Sequence, residues 1–330
     1  MRARCIQDLT VGEVVVDFFL VREKTLSLTR AGKAYLTLDL QDASGRIDAK
    51  VWDNAQELND QFGKGDVVKA QGIVETFQGE RQLNVKQLRK ARDDDPFDLA
   101  DLLPHTPRDV AQLWQTIEAF IGSIENEWLA KLLAAFFDDA GFREAFKRSV
   151  AARDVHHAYI GGLLEHVVSV AEVCDFFAEH YAADRDLLIT GAILHDIGKV
   201  EELDSVREFN YTVPGGMLGH IILGIRMVSE RIARIEGFPQ ELALLIEHMV
   251  LSHQGLPEWG SPIPPKTREA LLLHYADDAD SKHWIAANAL SRASGTDDPF
   301  TAWVRYVGHS FYRGKEATGE NAGDETPPAD

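Results

Sequence analysis

The sequence predicts a multidomain chain of the β plus all-α class: a small closed β-barrel followed by a helical bundle. Three observations carry that expectation. Residues 12–92 mostly alternate apolar and polar side chains with a period of two. Beyond Arg108 the apolar spacing changes to the three-and-four pattern of helices, and Asp93-Asp-Asp-Pro-Phe97 breaks both patterns between them.

Five short segments read as strands: Val14–Val21, Ala34–Leu40, Arg46–Trp52, Val67–Val74 and Gln82–Leu88. Gly32, Asp42–Gly45, Gly63–Asp66 and Gly79 mark their joins, because glycine and aspartate tolerate turn conformations. Asn54–Phe62 can form a short helix between the third and fourth strands. This pattern matches a five-stranded OB barrel, with another small antiparallel barrel as the alternative. We place the barrel at residues 1–92 and a linker at 93–107, punctuated by Pro104 and Pro107. The helical domain then spans 108–314. Its first apolar stripe is Val110, Leu113, Ile117, Phe120, Ile121, and Leu129 to Phe137 continue it. Further helices are expected near 159–181, 186–195, 217–235, 239–253 and 266–293. Residues 315–330 are polar, acidic and Pro-containing, and read as a disordered tail.

The chain has 330 residues, 45% hydrophobic and 26% charged, which suits a soluble globular protein with a sizeable core. No apolar run approaches the ~20 residues of a membrane span, and the N-terminus lacks the apolar core of a signal peptide. Two cysteines, Cys5 and Cys174, argue against a disulfide framework and for a reducing cytoplasm. The net charge of −19 is unevenly spread. Residues 1–92 hold 15 Lys/Arg against 13 Asp/Glu, leaving 19 basic and 40 acidic residues for the remainder. A weakly basic front on an acidic body is compatible with nucleic-acid binding by the front.

The densest chemistry lies in Leu188-Ile-Thr-Gly-Ala-Ile-Leu-His-Asp-Ile-Gly-Lys199, where His195-Asp196 closes an apolar helix. His166, His220, His253 and Asp277 stand beside other apolar helical runs. Any one of the 12 histidines is more simply a core or surface residue. Together, however, imidazoles and carboxylates from separate helices can cage a divalent ion inside a bundle. His166 is flanked by almost wholly apolar neighbours, so its polar ring requires a partner. A phosphodiester resists attack because its oxygens are negative. Divalent ions offset that charge and lower the pKa of bound water toward ~7.

The order His166, His195-Asp196, Asp277 resembles the ligand signature of HD-domain phosphohydrolases. Met217-Leu-Gly-His-Ile221 and Val250-Leu-Ser-His-Gln-Gly255 resemble the extra histidines of HD proteins with a second metal. With Gly162-Leu-Leu-Glu-His-Val-Val-Ser, Glu258-Trp-Gly-Ser-Pro262, Leu36-Thr-Leu-Asp-Leu-Gln-Asp42, Ala49-Lys-Val-Trp-Asp53 and Ser310-Phe-Tyr312, the chain resembles the YhaM-type 3′-5′ exoribonucleases from about Val14 to Tyr312. The resemblance implies an OB barrel joined to an HD domain. It also implies hydrolysis of single-stranded RNA, with single-stranded DNA as a further substrate, to nucleoside 5′-monophosphates. His166, His195, Asp196 and Asp277 would hold a first ion. His220 and His253 would hold a second, with Asp196 bridging. One departure is Gln254, where such proteins commonly have a second histidine, so one or two ions are expected. Mixed N/O ligands favour Mn²⁺, with Fe²⁺, Co²⁺ or Zn²⁺ as alternatives. Spacing alone leaves Lys199 between a surface lysine at a helix end and a phosphate contact, and the resemblance favours the phosphate. His157 is either a helix-entry histidine or a group on the substrate, as proton donor to the departing 3′ oxygen.

On the barrel, Tyr35, Trp52 and Phe77 interleave with Lys33, Lys50 and Arg81, the mixture that stacks bases and tracks a phosphate backbone. The competing expectation puts Trp52 and Phe77 in the barrel core. Two other functional readings stand beside the exonuclease: a nucleotide phosphohydrolase with a regulatory barrel, and a nucleic-acid-binding protein whose metal centre is impaired. Homo-oligomerisation is left open.

Overall fold

A computed structural model describes residues 5–92, 94–152, 157–204, 210–292 and 298–314. Five strands close a barrel in the order β1-β2-β3-β5-β4: β1 (Val14–Leu28), β2 (Ala34–Asp42), β3 (Gly45–Val51), β4 (Val67–Phe77) and β5 (Glu80–Lys90). Neighbours are antiparallel except β3 and β5, which run parallel, and α1 (Ala55–Asn59) bridges β3 to β4. That is OB topology. β1 runs seven residues beyond the predicted Val21 because one strand serves two partners. Val14–Leu20 pairs with β4 and Leu20–Leu28 with β2, the second ladder shifting register between Val21 and Glu23. Alternate residues point inward as the period of two requires: Leu36, Leu38 and Leu40 are fully buried, as are Val68, Ala70 and Val74.

Residues 94–107 do more than tether. Arg89 grips Asp95 through two hydrogen bonds of 2.6 Å, and the backbone N–H of Ala43 donates to the Asp101 carbonyl at 3.0 Å. Phe18, Leu20 and Val67 of the barrel form one apolar cluster with Leu102, Leu103, Val150 and Leu203. Burial of such a patch is what fixes the barrel against the helical body.

The helical body comprises α2 (Val110–Gly122), α3 (Glu127–Phe137), α4 (Ala140–Arg148), α5 (Gly162–Tyr181), α6 (Arg185–Leu194), α7 (Lys199–Glu202), α8 (Val213–Ile232), α9 (Gln240–Ser252) and α10 (Arg268–Arg292). Asp109, Asn126, Asp139, Asp184 and Thr212 cap their helices by accepting free N–H groups. α6 is buried at almost every position, so it lies at the centre of the bundle. α8 begins four residues before the expected 217 and is broken at Gly219, whose φ of 71° suits glycine. α4 and α7 are elements that periodicity alone does not reveal. A short antiparallel pair, Leu203–Asp204 with Asn210–Tyr211, precedes α8. The expected tail 315–330 lies outside the described residues.

Candidate metal centre

The centre is assembled where helices end. His195 caps α6 and His253 caps α9; each directs Nδ1 to a carbonyl three residues back, Ala192 at 2.8 Å and Val250 at 2.7 Å. That hydrogen bond occupies Nδ1 as donor and leaves Nε2 to present a lone pair. Asp196 follows His195 at the point where the helix stops, so adjacent side chains reach one spot. Gly198 lets the turn approach α8: a Cβ there would lie 2.0 Å from the His220 carbonyl oxygen.

Two groups of donors share Asp196. On one side, His166 Nε2 lies 3.2 Å from His195 Nε2, 3.5 Å from Asp196 Oδ2 and 3.2 Å from Asp277 Oδ1. On the other, Asp196 Oδ1 lies 3.4 Å from His220 Nε2 and 3.5 Å from His253 Nε2. Donor–donor edges of about 3.0–3.4 Å are expected around a first-row ion with bonds near 2.1 Å, so both groups are close to ligand spacing. Asp196 Oδ1 and His253 Nε2 are buried without a hydrogen-bond partner. Leaving such groups unsatisfied is costly, and a cation between them satisfies both. The donor set therefore fits divalent ions. The structure brings together all six residues expected as ligands.

Electrostatics is dominated by proximity. Burial disfavours the charged form of His166, yet hydrogen bonds and charge from Asp277 and Asp280 outweigh it and raise its pKa to about 10. Burial pushes the Asp196 carboxyl up, but the neighbouring Lys199 and His195 outweigh it and hold the group well below the ordinary carboxylate range. Asp277 is likewise held low against burial, mainly by its hydrogen bond with His166.

Outer partners fix the rings. Asp280 Oδ2 lies 2.7 Å from His166 Nδ1, and its Oδ1 accepts from Ser169 at 2.5 Å. Glu202 Oε1 accepts the His220 backbone N–H at 2.9 Å, just after the Gly219 break, and lies 3.3 Å from His220 Nδ1. Neither residue was expected. Asp280 sits one turn beyond Asp277, a spacing that could have signalled it. Nothing in the sequence marks Glu202.

Two expectations need correction, those for His157 and Arg81, and for Lys199 one alternative falls away. His157 is not open to substrate: it is buried, its Nε2 lies 3.2 Å from Asp280 and its Nδ1 2.7 Å from the Tyr159 hydroxyl. It braces the outer carboxylate, so both ring nitrogens are occupied. Lys199 is neither a surface lysine nor directed at open space. It is 6% exposed and its Nζ is 2.5 Å from Asp196 Oδ2, at the wall of two cavities. Arg81 ties down the N-terminal segment by donating to the carbonyls of Ile6, Gln7 and Leu9.

Tyr35, Lys50 and Trp52 lie together on the barrel. Tyr35 and Trp52 stack with centroids 4.9 Å apart, and the Lys50 ammonium lies 5.3 Å from the Tyr35 ring centre. Trp52 is 38% exposed and Phe77 57%, so neither fills the barrel core. Lys33 pairs with Asp53 at 2.9 Å on the surface. Gln254 places its amide 3.2 Å from His220 Nε2, within reach of the second donor group. Cavities of about 580 and 460 Å³ adjoin the centre, both lined by Lys199, Gln254, Trp259 and Tyr306.

A family model for the HD domain matches residues 163–282, and one for an OB-fold nucleic-acid-binding domain matches residues 20–91. The 3′-5′ exoribonuclease YhaM of Bacillus licheniformis is 35% identical over 283 residues, covering 86% of this chain and 89% of its own. Among solved structures, the hypothetical protein ygiW of E. coli aligns with TM-score 0.20 and 23% identity over 26% of this chain and 82% of its own. The second OB-fold domain of replication protein A from Methanococcus maripaludis aligns with TM-score 0.23 and 17% identity, over 29% of this chain and 98% of its own.

Proposed function

The chain belongs to the YhaM 3′-5′ exoribonuclease family, and from that premise we propose how its own residues perform the reaction. It is a metal-dependent exoribonuclease with an HD domain. In our reading the barrel delivers a single-stranded 3′ end to the helical body, and each cycle releases a nucleoside 5′-monophosphate.

The observation that carries this reading is the sharing of Asp196, one carboxylate oxygen facing each group of donors. His166, His195, Asp196 and Asp277 would hold one divalent ion; His220 and His253 would hold another with Asp196. The Gln254 amide could turn its oxygen to that second ion, since an amide offers either atom. Bound ions would supply charge neutralisation for the phosphate and acidify a water nucleophile. Every other contribution is the chain's own. Ala192 and Val250 hold the tautomers of His195 and His253. Asp280 orients His166, while Lys199 neutralises Asp196 and lies close enough to the cavities to meet a phosphate oxygen. Mn²⁺ is the ion we favour, because the donors mix nitrogen and oxygen.

Stacked Tyr35 and Trp52 with Lys50 support the barrel as the strand-holding face, a combination indifferent to base identity. The same chemistry would accept single-stranded DNA. No helix among the described residues is long and apolar enough to cross a membrane, and both cysteines are free. We place the enzyme in the cytoplasm, where thiols stay reduced.

Incubating the protein with Mn²⁺ and 3′-extended, 5′-labelled single-stranded RNA, beside free nucleotides, tests the proposal. Stepwise shortening with release of 5′-monophosphates is expected. Turnover of free nucleotides alone would support a phosphohydrolase instead, and binding without turnover an impaired centre.

A further inference from the structure

The two cavities beside the metal centre share a wall in which two of the residues are exposed aromatics, Trp259 at 48% and Tyr306 at 66%. Both are on firm mounts. Trp259 ends a one-turn helix six residues after His253, and its N–H donates to the Leu256 carbonyl at 3.0 Å. The loop is braced by Gly255 N–H to Ser252 at 2.8 Å and Ser261 N–H to Leu256 at 3.2 Å. The Lys282 ammonium lies 5.1 Å from the Trp259 ring centre. Tyr306 tops the turn Val304–His309, closed by Gly308 N–H to the Val304 carbonyl at 2.9 Å and Val304 N–H to His309 at 3.1 Å. Leaving large rings half in water is unfavourable unless something covers them, and a flat partner covers a ring best.

We propose that Trp259 and Tyr306 form a stacking seat for the base at the 3′ end of the substrate, next to the scissile phosphate. The seat rests on the exoribonuclease reading above and is separate from the Tyr35–Trp52 face. The smaller cavity, about 460 Å³, supports a terminal nucleoside as its occupant. Outside the metal ligands and the Lys199 paired with Asp196, its charged lining is the Asp278–Lys282 pair at 2.8 Å, which largely cancels and suits a neutral base and sugar. Stacking accepts all four bases, as an enzyme that removes successive nucleotides requires. The seat also positions the end without depending on the barrel.

The test compares kcat/KM on single-stranded RNA ending in a normal or an abasic nucleotide, for wild type and for Trp259→Ala, Tyr306→Ala, Trp259→Phe and Tyr306→Phe. Each alanine variant is expected to lose about five- to a hundredfold on the normal end, the range spanned by base–aromatic stacking. Each phenylalanine variant should keep most of the activity. On the abasic end the alanine variants should cost little beyond what wild type already loses. In an Asp196→Asn background, 2-aminopurine at the 3′ terminus should be quenched on binding, and the quench should vanish in Trp259→Ala. Equal losses on both ends, or quenching unchanged by either alanine variant, would overturn the seat. A wild-type protein that fails to shorten normal RNA would overturn the underlying exoribonuclease reading instead, and the seat with it.

Discussion

Loading the metal centre has to displace protons, and that fixes a pH dependence. In the metal-free protein His166 is fully buried, which disfavours its charged form, yet Asp277 and Asp280 raise its pKa to about 10. An ion at Nε2 requires the neutral ring, so binding releases a proton. At pH 7 the deprotonation costs about 4 kcal/mol, three pH units at ~1.36 kcal/mol each. Apparent affinity should therefore rise about tenfold per pH unit between pH 7 and 9 and level off near 10. The same shift acts oppositely on the metal-free fold. A folded-state pKa above the unfolded value of ~6.5 contributes stability that is complete below pH 6.5 and lost as pH rises toward 10. The Tm of metal-free protein should fall over that interval more than that of loaded protein. Chelator competition at pH 7, 8 and 9, corrected for chelator protonation, measures the slope. Calorimetry in two buffers of different protonation enthalpy measures the released protons. Affinity independent of pH, with no proton released at pH 7, would refute a charged His166.

Asp196→Asn should abolish turnover, because an amide cannot offer anionic oxygens to both donor groups, while RNA affinity changes by less than about threefold. Gel-shift and cleavage assays on the same preparation separate the two effects. Asp280→Asn should weaken metal binding by about ten- to a hundredfold, the usual effect of losing an outer carboxylate, with an unchanged circular dichroism spectrum. Trp52→Ala should weaken binding of long strands by about 1–3 kcal/mol and leave cleavage of very short ones nearly unaltered. Fluorescence anisotropy and single-turnover cleavage check it. Substitution is a cleaner probe than deleting residues 1–92, since deletion would expose Leu102, Leu103, Val150 and Leu203.

Where the sequence is legible, one residue type in one pattern has one physical consequence. Leu36, Leu38 and Leu40 alternate with polar residues, and only a strand puts all three on one side. His195-Asp196 at the end of an apolar helix can do little but converge, because the helix stops there. Legibility fails where a side chain's direction depends on distant backbone. In Asp277-Asp278-Ala-Asp280 the sequence cannot say which carboxylates face inward; packing of α10 on α5 turns Asp277 to His166 Nε2 and Asp280 to its Nδ1, while Asp278 faces Lys282. His157 is misread because its partner Asp280 lies 123 residues further along the chain. Arg81 reads as a phosphate ligand from composition, but the carbonyls of Ile6, Gln7 and Leu9 come from a segment over seventy residues away. α4 is missed because it buries only Phe146 fully among nine residues.

Charge distribution would account for the separation of holding from cutting in the proposed function. Residues 93–330, which include the centre, hold 40 acidic residues against 19 basic, a poor environment for a polyanion at long range. Screening limits that repulsion to about 8 Å at physiological ionic strength, so local groups decide whether a strand can enter. Within the cavities the local cations are Lys199 and Lys282, and Lys199 is already engaged with Asp196. Metal ions would reverse the sign at the centre itself, yet only over a few ångströms of strand. The remaining phosphates need a neutral or basic surface, and residues 1–92 supply one, with Lys50 over stacked aromatics. An acidic body then aids turnover: a released 5′-monophosphate carries more charge than the diester it came from and is expelled more readily. In the proposed function, holding would thus fall to the barrel, by stacking and charge together, and release to the acidic body.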